Sequence, residues 1–233
     1  MKLPNIKEQN DKYKEHFKKI SKSNSYKETA ELAVGGEFDR IGRIEYELLK
    51  KFGLNSEHSV VDVGCGSGRL AKEFPKNFKG NYLGTDVVPD LLDYAREIKS
   101  EENFTFEVVE NLTIPKSESS VDYVCFFSVF THLFHEQTYK YLLEAKRVLK
   151  NNGYIIFSFL EFKTKSHWAV FESNLIEEQI HLNMFMDRDA IHIWADKIGL
   201  VLTTILDGDR RQVDEYKNLD SLGQSVAVLQ NLD

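Results

Sequence analysis

The chain has 233 residues, of which 42% are hydrophobic and 29% charged, a composition typical of one globular domain with a sizeable core. It contains no uninterrupted run of about 18 apolar residues, which argues against a membrane-spanning helix. The formal net charge of −7 argues against a nucleic-acid substrate, and the two cysteines indicate neither a disulfide framework nor a zinc site.

The first part of the chain is predicted to form a helical leader or lid over residues 1–53. Apolar residues recur at helical spacing in residues 5–20, 29–34 and 38–52. Residues 1–27 hold eight lysines and three acidic residues, so this basic arm either contacts an anionic partner or forms a solvated helix face. The N-terminus lacks the apolar core of a signal peptide, so we expect a cytoplasmic protein.

A strand, a glycine-rich turn and a helix follow one another in residues 60–70. The apolar, β-branched start predicts a buried strand. Gly64, Gly66 and Gly68 then permit a tight turn and allow a ligand to lie directly against the backbone. The helix begins at Arg69, so the stretch predicts a nucleotide-sized crevice at the carboxyl end of a strand.

The motif in this turn reads Asp-x-Gly-x-Gly-x-Gly. It differs from the dinucleotide fingerprint because Arg69 stands where that pattern needs a third glycine, and it is not a phosphate-binding P-loop. It resembles motif I of the class I S-adenosylmethionine-dependent methyltransferases. The alternative is an ordinary turn in another α/β protein. The resemblance implies that S-adenosyl-L-methionine binds here, giving S-adenosyl-L-homocysteine as product, against Asp62, Gly64, Cys65, Gly66 and Gly68.

A second strand is predicted at residues 81–87 and ends in an acid. The carboxylate of Asp86 should face the same crevice, where it can accept hydrogen bonds from both ribose hydroxyls of an adenosine, with Val87 beside it. NAD-dependent enzymes use the same arrangement, so Asp86 supports adenosine binding without choosing between the cofactors. Alternatively Asp86 caps the next helix, although Pro89 already suits that helix start.

The third strand, residues 104–109, is followed by two polar residues, Glu110 and Asn111. In methyltransferases that this sequence resembles, an acid or amide at this place binds the adenine amino group. The resemblance therefore implies that Glu110 takes that role, with Asn111 as its neighbour.

The fourth strand, residues 120–127, leads into a stretch that is similar to the one after strand four in small-molecule methyltransferases. The resemblance implies that Ser128 and Phe130 contact the adenosine and methionine portions of the cofactor. His132 is the leading candidate for a general base, because it follows the strand where the pocket should lie. Alternatively it is a structural histidine bonded to a backbone carbonyl.

The rest of the chain completes the expected domain over residues 54–233. The fold class is α/β, a Rossmann-like three-layer sandwich, and the family resemblance implies a seven-stranded, mostly parallel sheet with an antiparallel last strand. The remaining predicted elements are a helix at residues 139–149, a strand at 154–160, a helix at 187–197 and strands at 200–206 and 224–229.

Residues 161–186 are too long for a plain connection and are predicted to be an insertion on the substrate side. They carry aromatic residues suited to an organic acceptor, and two further candidates for a catalytic histidine, His167 and His181. Alternatively the insertion is a covering helix with a small core of its own.

Together these features predict a methyltransferase that acts, without a metal ion, on an oxygen or nitrogen of a small-molecule acceptor, as a monomer or homodimer. The stretch after strand four has no Asp or Asn that could help to build a magnesium site, and Asn-Pro-Pro-Tyr and Pro-Cys motifs are absent. The alternatives are a saccharide or lipid-linked biosynthetic intermediate as acceptor, or a cofactor-binding protein without catalysis. An RNA substrate is the weakest alternative.

Overall fold

The computed structural model describes residues 5–176, 182–213 and 221–232. The leader contains α1 (Ile6–Ile20), α2 (Tyr26–Ala33) and α3 (Phe38–Lys51). Capping boxes begin the first two of these helices. The Asn5 side chain accepts a hydrogen bond from the Glu8 amide, and the Glu8 side chain accepts one from the Asn5 amide. Ser25 and Glu28 form the same reciprocal pair at α2. Three helices thus lie within the described part of the stretch that was predicted as the leader.

The main domain is organised around one sheet, which has seven strands within the described residues, in the order β3-β2-β1-β4-β5-β7-β6. β7 runs antiparallel to both of its neighbours, β5 and β6, whereas the pairings among β1 to β5 are parallel. This confirms the predicted fold. The strands are β1 (Val60–Val63), β2 (Tyr82–Asp86), β3 (Phe104–Val108), β4 (Val121–Phe126), β5 (Leu149–Phe159), β6 (Val201–Leu206) and β7 (Ser225–Gln230).

Helices cover both faces of the sheet, so neighbouring strand residues enter different cores. Val60 packs with residues of α3, α4 and α5, whereas Val61 packs with residues of α6 and α8. This two-sided burial explains why the central strands are mostly apolar. The helices of the main domain are α4 (Arg69–Glu73), α5 (Pro89–Ile98), α6 (His135–Val148), α7 (Lys165–Ile176) and α8 (Arg188–Lys197).

The connection from α6 to β5 differs from the sequence prediction. α6 begins at His135 rather than at residue 139, and β5 begins at Leu149 rather than at residue 154. The strand passes through the segment that was predicted as a helix stop, where Asn152 has a φ of 64°. Its amide donates to the Asn231 carbonyl at 2.7 Å, so pairing near the end of the chain extends the strand. Across the described ranges, no helix is both long enough and apolar enough to cross a bilayer.

Candidate active site

The glycine loop connects β1 to α4 at the carboxyl edge of the sheet. The amides of Gly64 and Cys65 donate to the Thr85 carbonyl at 2.7 and 2.9 Å, which ties the loop to the end of β2. Gly64 has a φ of 70°, and a Cβ at this position would lie 2.5 Å from Val129. The loop therefore needs glycine for both its backbone conformation and its close packing.

Two further residues of the predicted loop, Cys65 and Gly68, have different surroundings. Cys65 lines the cleft beside the loop, and burial holds the pKa of its thiol well above the usual range. Gly68 is not among the residues that line the cleft. It precedes α4 with a φ of 81°, and a Cβ there would lie 2.8 Å from the Cβ of Ala95 on α5. Its placement supports close helix packing rather than the predicted cofactor contact.

Asp86 ends β2, and it lines both lobes of the cleft. One carboxylate oxygen accepts the Gly66 amide and the other accepts the Val88 amide, both at 2.9 Å. Burial raises the pKa of Asp86, while these backbone donors act in the opposite direction. The two bonds fix the carboxylate and leave each oxygen with further acceptor capacity towards the cleft. Val87 also lines this region.

Asp62 lies behind the loop and is almost fully buried. The Tyr82 hydroxyl donates to its Oδ2 at 2.5 Å. Burial, with the nearby negative charge of Glu45, raises the pKa of Asp62 to about 8. Asp62 therefore carries its proton over much of the neutral pH range, and it lines the same part of the cleft as Cys65 and Gly66.

A buried ion pair joins the leader to this loop and was not anticipated from the sequence. Arg69 directs Nε and Nη2 to one carboxylate oxygen of Glu45, at 2.9 and 2.6 Å. Its Nη1 donates to the carbonyls of Val34 and Gly35, at 3.3 and 3.2 Å. In the sequence, Arg69 was noted only because it replaces the third glycine of the dinucleotide fingerprint. Its partner Glu45 lies 24 positions away on α3, where no local pattern indicates the pairing.

The cleft has two adjoining lobes of similar size, which contain about 690 and 630 Å³ of space and are partly open to solvent. Five residues line both lobes, and they come from the leader, the glycine loop and the ends of β2 and β4: Tyr13, Gly64, Asp86, Ser128 and His132. Helix α1 therefore forms one wall of the cleft. Asn10 on α1 donates to the Glu110 carbonyl at 2.8 Å, which holds that wall against the loop after β3.

Glu110 and Asn111 both line the larger lobe, as their predicted role requires. The carboxylate of Glu110 forms an ion pair with Lys14 of α1. Asn111 accepts the Thr113 hydroxyl at its side-chain oxygen, at 2.6 Å, and the Tyr141 hydroxyl at its carbonyl, at 3.2 Å. The side-chain oxygen of Asn111 is thus already engaged locally.

Of the two residues after β4 that were predicted to contact the cofactor, Ser128 lines the cleft and Phe130 does not. Ser128 lines both lobes, and its amide donates to the Ser158 hydroxyl at 2.7 Å. Phe130 instead lies in the core, where its ring stacks on Phe126 at 4.5 Å and packs against Phe157 at 5.0 Å. Phe130 is fully buried and does not line the cleft, so this placement does not support the predicted cofactor contact.

His132 closes the short 3₁₀ helix Phe130–His132 and faces the cleft. Its Nδ1 lies 2.7 Å from the Leu182 carbonyl. Because a carbonyl only accepts hydrogen bonds, Nδ1 carries the proton, and Nε2 is the basic nitrogen of the neutral ring. Burial lowers the pKa of His132, which favours this neutral form. His132 thus makes the backbone-carbonyl bond that the sequence analysis gave as the structural alternative, and it also lines the cleft.

A family model described as a methyltransferase domain matches residues 61–157. This range contains the glycine loop, Asp86, Glu110 and His132, and it lies within the seven-stranded fold expected of that family. Residues 61–157 therefore belong to the methyltransferase domain family, and the sheet around them has the fold of the class I S-adenosylmethionine-dependent methyltransferases.

Curated relatives include other methyltransferases. The chain is 25% identical over 176 residues to the ubiquinone biosynthesis O-methyltransferase of Hydrogenovibrio crunogenus, covering 72% of each protein. It is 32% identical over 106 residues to an uncharacterized methyltransferase of Schizosaccharomyces pombe, covering 41% of this chain and 37% of that protein. The methyltransferase thus spans 37% and 72% of the lengths of these two relatives.

Solved structures share the fold at low identity. A chain of the Haloferax volcanii complex between a methyltransferase activator and a methyltransferase has a TM-score of 0.65 and 17% identity, covering 98% of both chains. Magnesium protoporphyrin IX methyltransferase from Synechocystis, with bound S-adenosylhomocysteine, has a TM-score of 0.61 and 14% identity, covering 83% of this chain and 85% of its own.

His167 of this methyltransferase lies in the insertion, buried and outside the cleft lining. Its Nδ1 accepts the Glu161 amide at 3.0 Å, and its Nε2 lies 3.0 Å from the Gly223 carbonyl. Both ring nitrogens therefore serve the packing of the insertion, which does not favour the predicted catalytic role. His181 lies outside the described residues. In the described parts of the chain, no group of three His, Cys, Asp or Glu side chains is arranged to hold a metal ion.

The aromatic residues of the insertion form a small cluster of their own. Phe162 stacks on Phe185 with ring centroids 4.7 Å apart, and Phe171 packs against both. Trp168 joins the cluster at 5.1 Å from Phe171 and is 44% exposed. These contacts agree with the covering-helix alternative, and none of the four rings lines the cleft.

Proposed function

We propose that this methyltransferase transfers the sulfonium methyl group of S-adenosylmethionine to an oxygen or nitrogen of a small-molecule acceptor, without a metal ion and with His132 as general base. The observation that supports this most directly is that a fixed carboxylate, Asp86, and a neutral histidine, His132, line one cleft beside the glycine loop.

The residues of the cleft fit the cofactor. Asp86 presents a carboxylate with spare acceptor capacity, as ribose hydroxyls require. Glu110 and Asn111 line the larger lobe and would bind the adenine. Gly64 and Gly66 would bind the methionine portion, since they offer backbone without side chains. When bound, S-adenosylmethionine supplies an electrophilic methyl group on a good leaving group.

The protein's part in such a reaction is mostly positioning and desolvation. Helix α1 walls the cleft through Ile6, Asn10 and Tyr13 and restricts water. His132 Nε2 accepts the proton of the acceptor as the acceptor atom bonds to the methyl carbon. The Leu182 carbonyl keeps the proton on Nδ1, so that Nε2 remains the basic atom.

The comparisons support a small organic acceptor. The H. crunogenus relative is an O-methyltransferase of ubiquinone biosynthesis, and the Synechocystis structure is that of a magnesium protoporphyrin IX methyltransferase. Both names describe organic molecules with ring systems, which agrees with the largely apolar wall formed by Ile6, Val109 and Leu133. The proposal does not extend to either of those compounds.

Calorimetric titration with S-adenosylmethionine, S-adenosylhomocysteine and NAD tests the proposal. We expect micromolar binding of the first two compounds and no binding of NAD. A screen of hydroxyl and amine acceptors with methyl-labelled S-adenosylmethionine then follows transfer directly. Binding of NAD alone would show that Asp86 serves a different cofactor and would overturn the proposal.

A further inference from the structure

Two segments outside the family-matched range converge on His132. Tyr13 of α1 presents its ring nearly edge-on to the imidazole, with centroids 5.7 Å apart and an interplanar angle of 68°. The Leu182 carbonyl lies 2.7 Å from Nδ1. The leader and the insertion therefore determine how this histidine is held, although the histidine itself belongs to the matched range 61–157.

The segment that carries Leu182 is fixed along the turn after β4. The Met184 amide donates to the Thr131 carbonyl at 2.7 Å. His135 Nε2 lies 3.0 Å from the Phe185 carbonyl. These bonds on either side of His132 hold the backbone of the segment in place, so the carbonyl at Nδ1 has a defined position.

Helix α1, which carries Tyr13, is held against the domain by two hydrogen bonds of its side chains. Besides the bond from Asn10 to the Glu110 carbonyl, Gln137 of α6 donates to the Gln9 side chain at 2.7 Å. Both Gln9 and Asn10 are buried although they are polar, which indicates that α1 is seated on the domain and not merely adjacent to it. Tyr13 lies one helical turn further along the same buried face.

We propose that Tyr13 is a positioning residue of the transfer reaction, which holds the His132 imidazole by ring packing so that Nε2 faces the cleft. The inference rests on the proposed function of His132 as general base. Burial and the charge of Asp86 hold the pKa of Tyr13 well above its usual range, so its phenol stays protonated and does not act as a second base. Tyr13 therefore acts through its ring, which contacts the imidazole edge-on.

The first test is the NMR titration of the His132 ring in the full-length wild type and in Tyr13→Leu and Tyr13→Phe, with the signal assigned from His132→Gln. Removal of the ring admits water, so we expect Tyr13→Leu to raise the pKa of His132 by about one unit and to weaken the preference for a proton on Nδ1. Tyr13→Phe keeps the ring and should preserve both properties. Both variants leave in place the other charged or titratable groups around Tyr13 and His132, which are Lys14, Glu45, Asp62, Arg69, Asp86, Glu110 and His135.

Tyr26→Phe is the matched control. Tyr26 is also a leader tyrosine, and its hydroxyl donates to the Asp90 carbonyl at 3.0 Å, but it does not line the cleft. This variant should leave the titration of His132 at the wild-type value. An unchanged His132 titration and tautomer in folded Tyr13→Leu would overturn the proposal.

Kinetics with an acceptor found in the labelled-methyl screen provide the second test. We expect Tyr13→Leu to lower kcat by roughly tenfold to a hundredfold, with a smaller change in KM, and Tyr13→Phe to retain most of the turnover. A loss of S-adenosylhomocysteine affinity with unchanged kcat and unchanged His132 titration would assign Tyr13 to cofactor binding instead. Failure of the wild type to bind S-adenosylhomocysteine would reject the proposed function itself. The Tyr13 variants test only the role of Tyr13, so the two failures can be distinguished.

Discussion

The guanidinium of Arg69 places Nε and Nη2 at 2.9 and 2.6 Å from a single carboxylate oxygen of Glu45, and both side chains are buried beside the glycine loop. The pair joins α3 of the leader to the first turn of α4. Because Arg69 also binds the carbonyls of Val34 and Gly35, the leader is attached to the glycine loop by charge-assisted bonds as well as by apolar packing.

Loss of the Glu45 carboxylate should therefore destabilise the protein. Glu45→Gln leaves the buried guanidinium without a compensating charge, and we expect the free energy of unfolding to fall by about 3 kcal/mol. Urea denaturation followed by circular dichroism measures this change. Glu57→Gln is the control, because Glu57 forms an exposed pair with Lys79 and should alter stability by less than about 1 kcal/mol. Equal effects of the two substitutions would contradict the prediction.

Removal of the Asp86 carboxylate should weaken cofactor binding. We expect Asp86→Ala to lower the affinity for S-adenosylhomocysteine by roughly one to three kcal/mol, which is the scale of lost hydrogen bonds to a charged group. Calorimetric titration measures the dissociation constant. Asp93→Ala on α5 removes an acid whose partner is Arg96 on the protein surface, and it should leave the affinity unchanged. Wild-type affinity in Asp86→Ala would reject the ribose role.

Turnover should depend on His132 while cofactor affinity does not. His132→Gln removes the proposed base, and we expect kcat to fall about a hundredfold with little change in S-adenosylhomocysteine affinity. His192→Gln, at an exposed position on α8, is the control and should keep wild-type turnover. If His132→Gln turns over at the wild-type rate, the histidine has only the structural role given by its Leu182 bond.

The pH dependence of kcat supplies a separate prediction for His132. Burial lowers the pKa of the ring, so the basic form persists to more acidic pH than for an ordinary histidine. We expect kcat to be constant near neutral pH and to fall only below the ordinary histidine pKa of about 6.5. An acid limb that begins above that value would contradict the lowered pKa.

Asp62 should make stability fall as pH rises. Its pKa is raised to about 8 in the folded state, so the folded protein binds a proton that the unfolded chain releases near pH 4. The stability that Asp62 contributes is complete below the unfolded pKa and is lost as the pH rises to about 8. Urea denaturation of wild type and Asp62→Asn between pH 5 and pH 9 measures the difference between them. The free energy of unfolding of the wild type, relative to that of Asp62→Asn, should fall steadily up to about pH 8 and then level off. A difference that does not change with pH would contradict the prediction.

The sequence predicted most of the fold because the relevant signals are local. The apolar run of β1, the glycines after it and the acid at the end of β2 each lie within a few residues of the element they define, and parallel pairing then brings Asp86 to the glycine loop. Element boundaries were less accurate at β5, where Asn152 keeps a left-handed φ of 64° but the strand continues through it because its amide pairs with Asn231.

The parts of the site that the sequence could not predict depend on contacts between distant residues. Phe130 lies two positions from His132, yet the intervening 3₁₀ helix directs one ring into the core and the other to the cleft. Glu45 and Tyr13 belong to helices whose apolar spacing predicts burial but not the partner. Their roles follow only from the way in which the leader is seated on the domain.

The bond between His132 and residue 182 involves a main-chain oxygen, which every amino acid provides. Side chains in the insertion can therefore be exchanged during evolution without altering the protonation pattern of the imidazole. Related enzymes with this arrangement would be free to acquire new acceptors by changing that segment while the chemistry at the ring is retained.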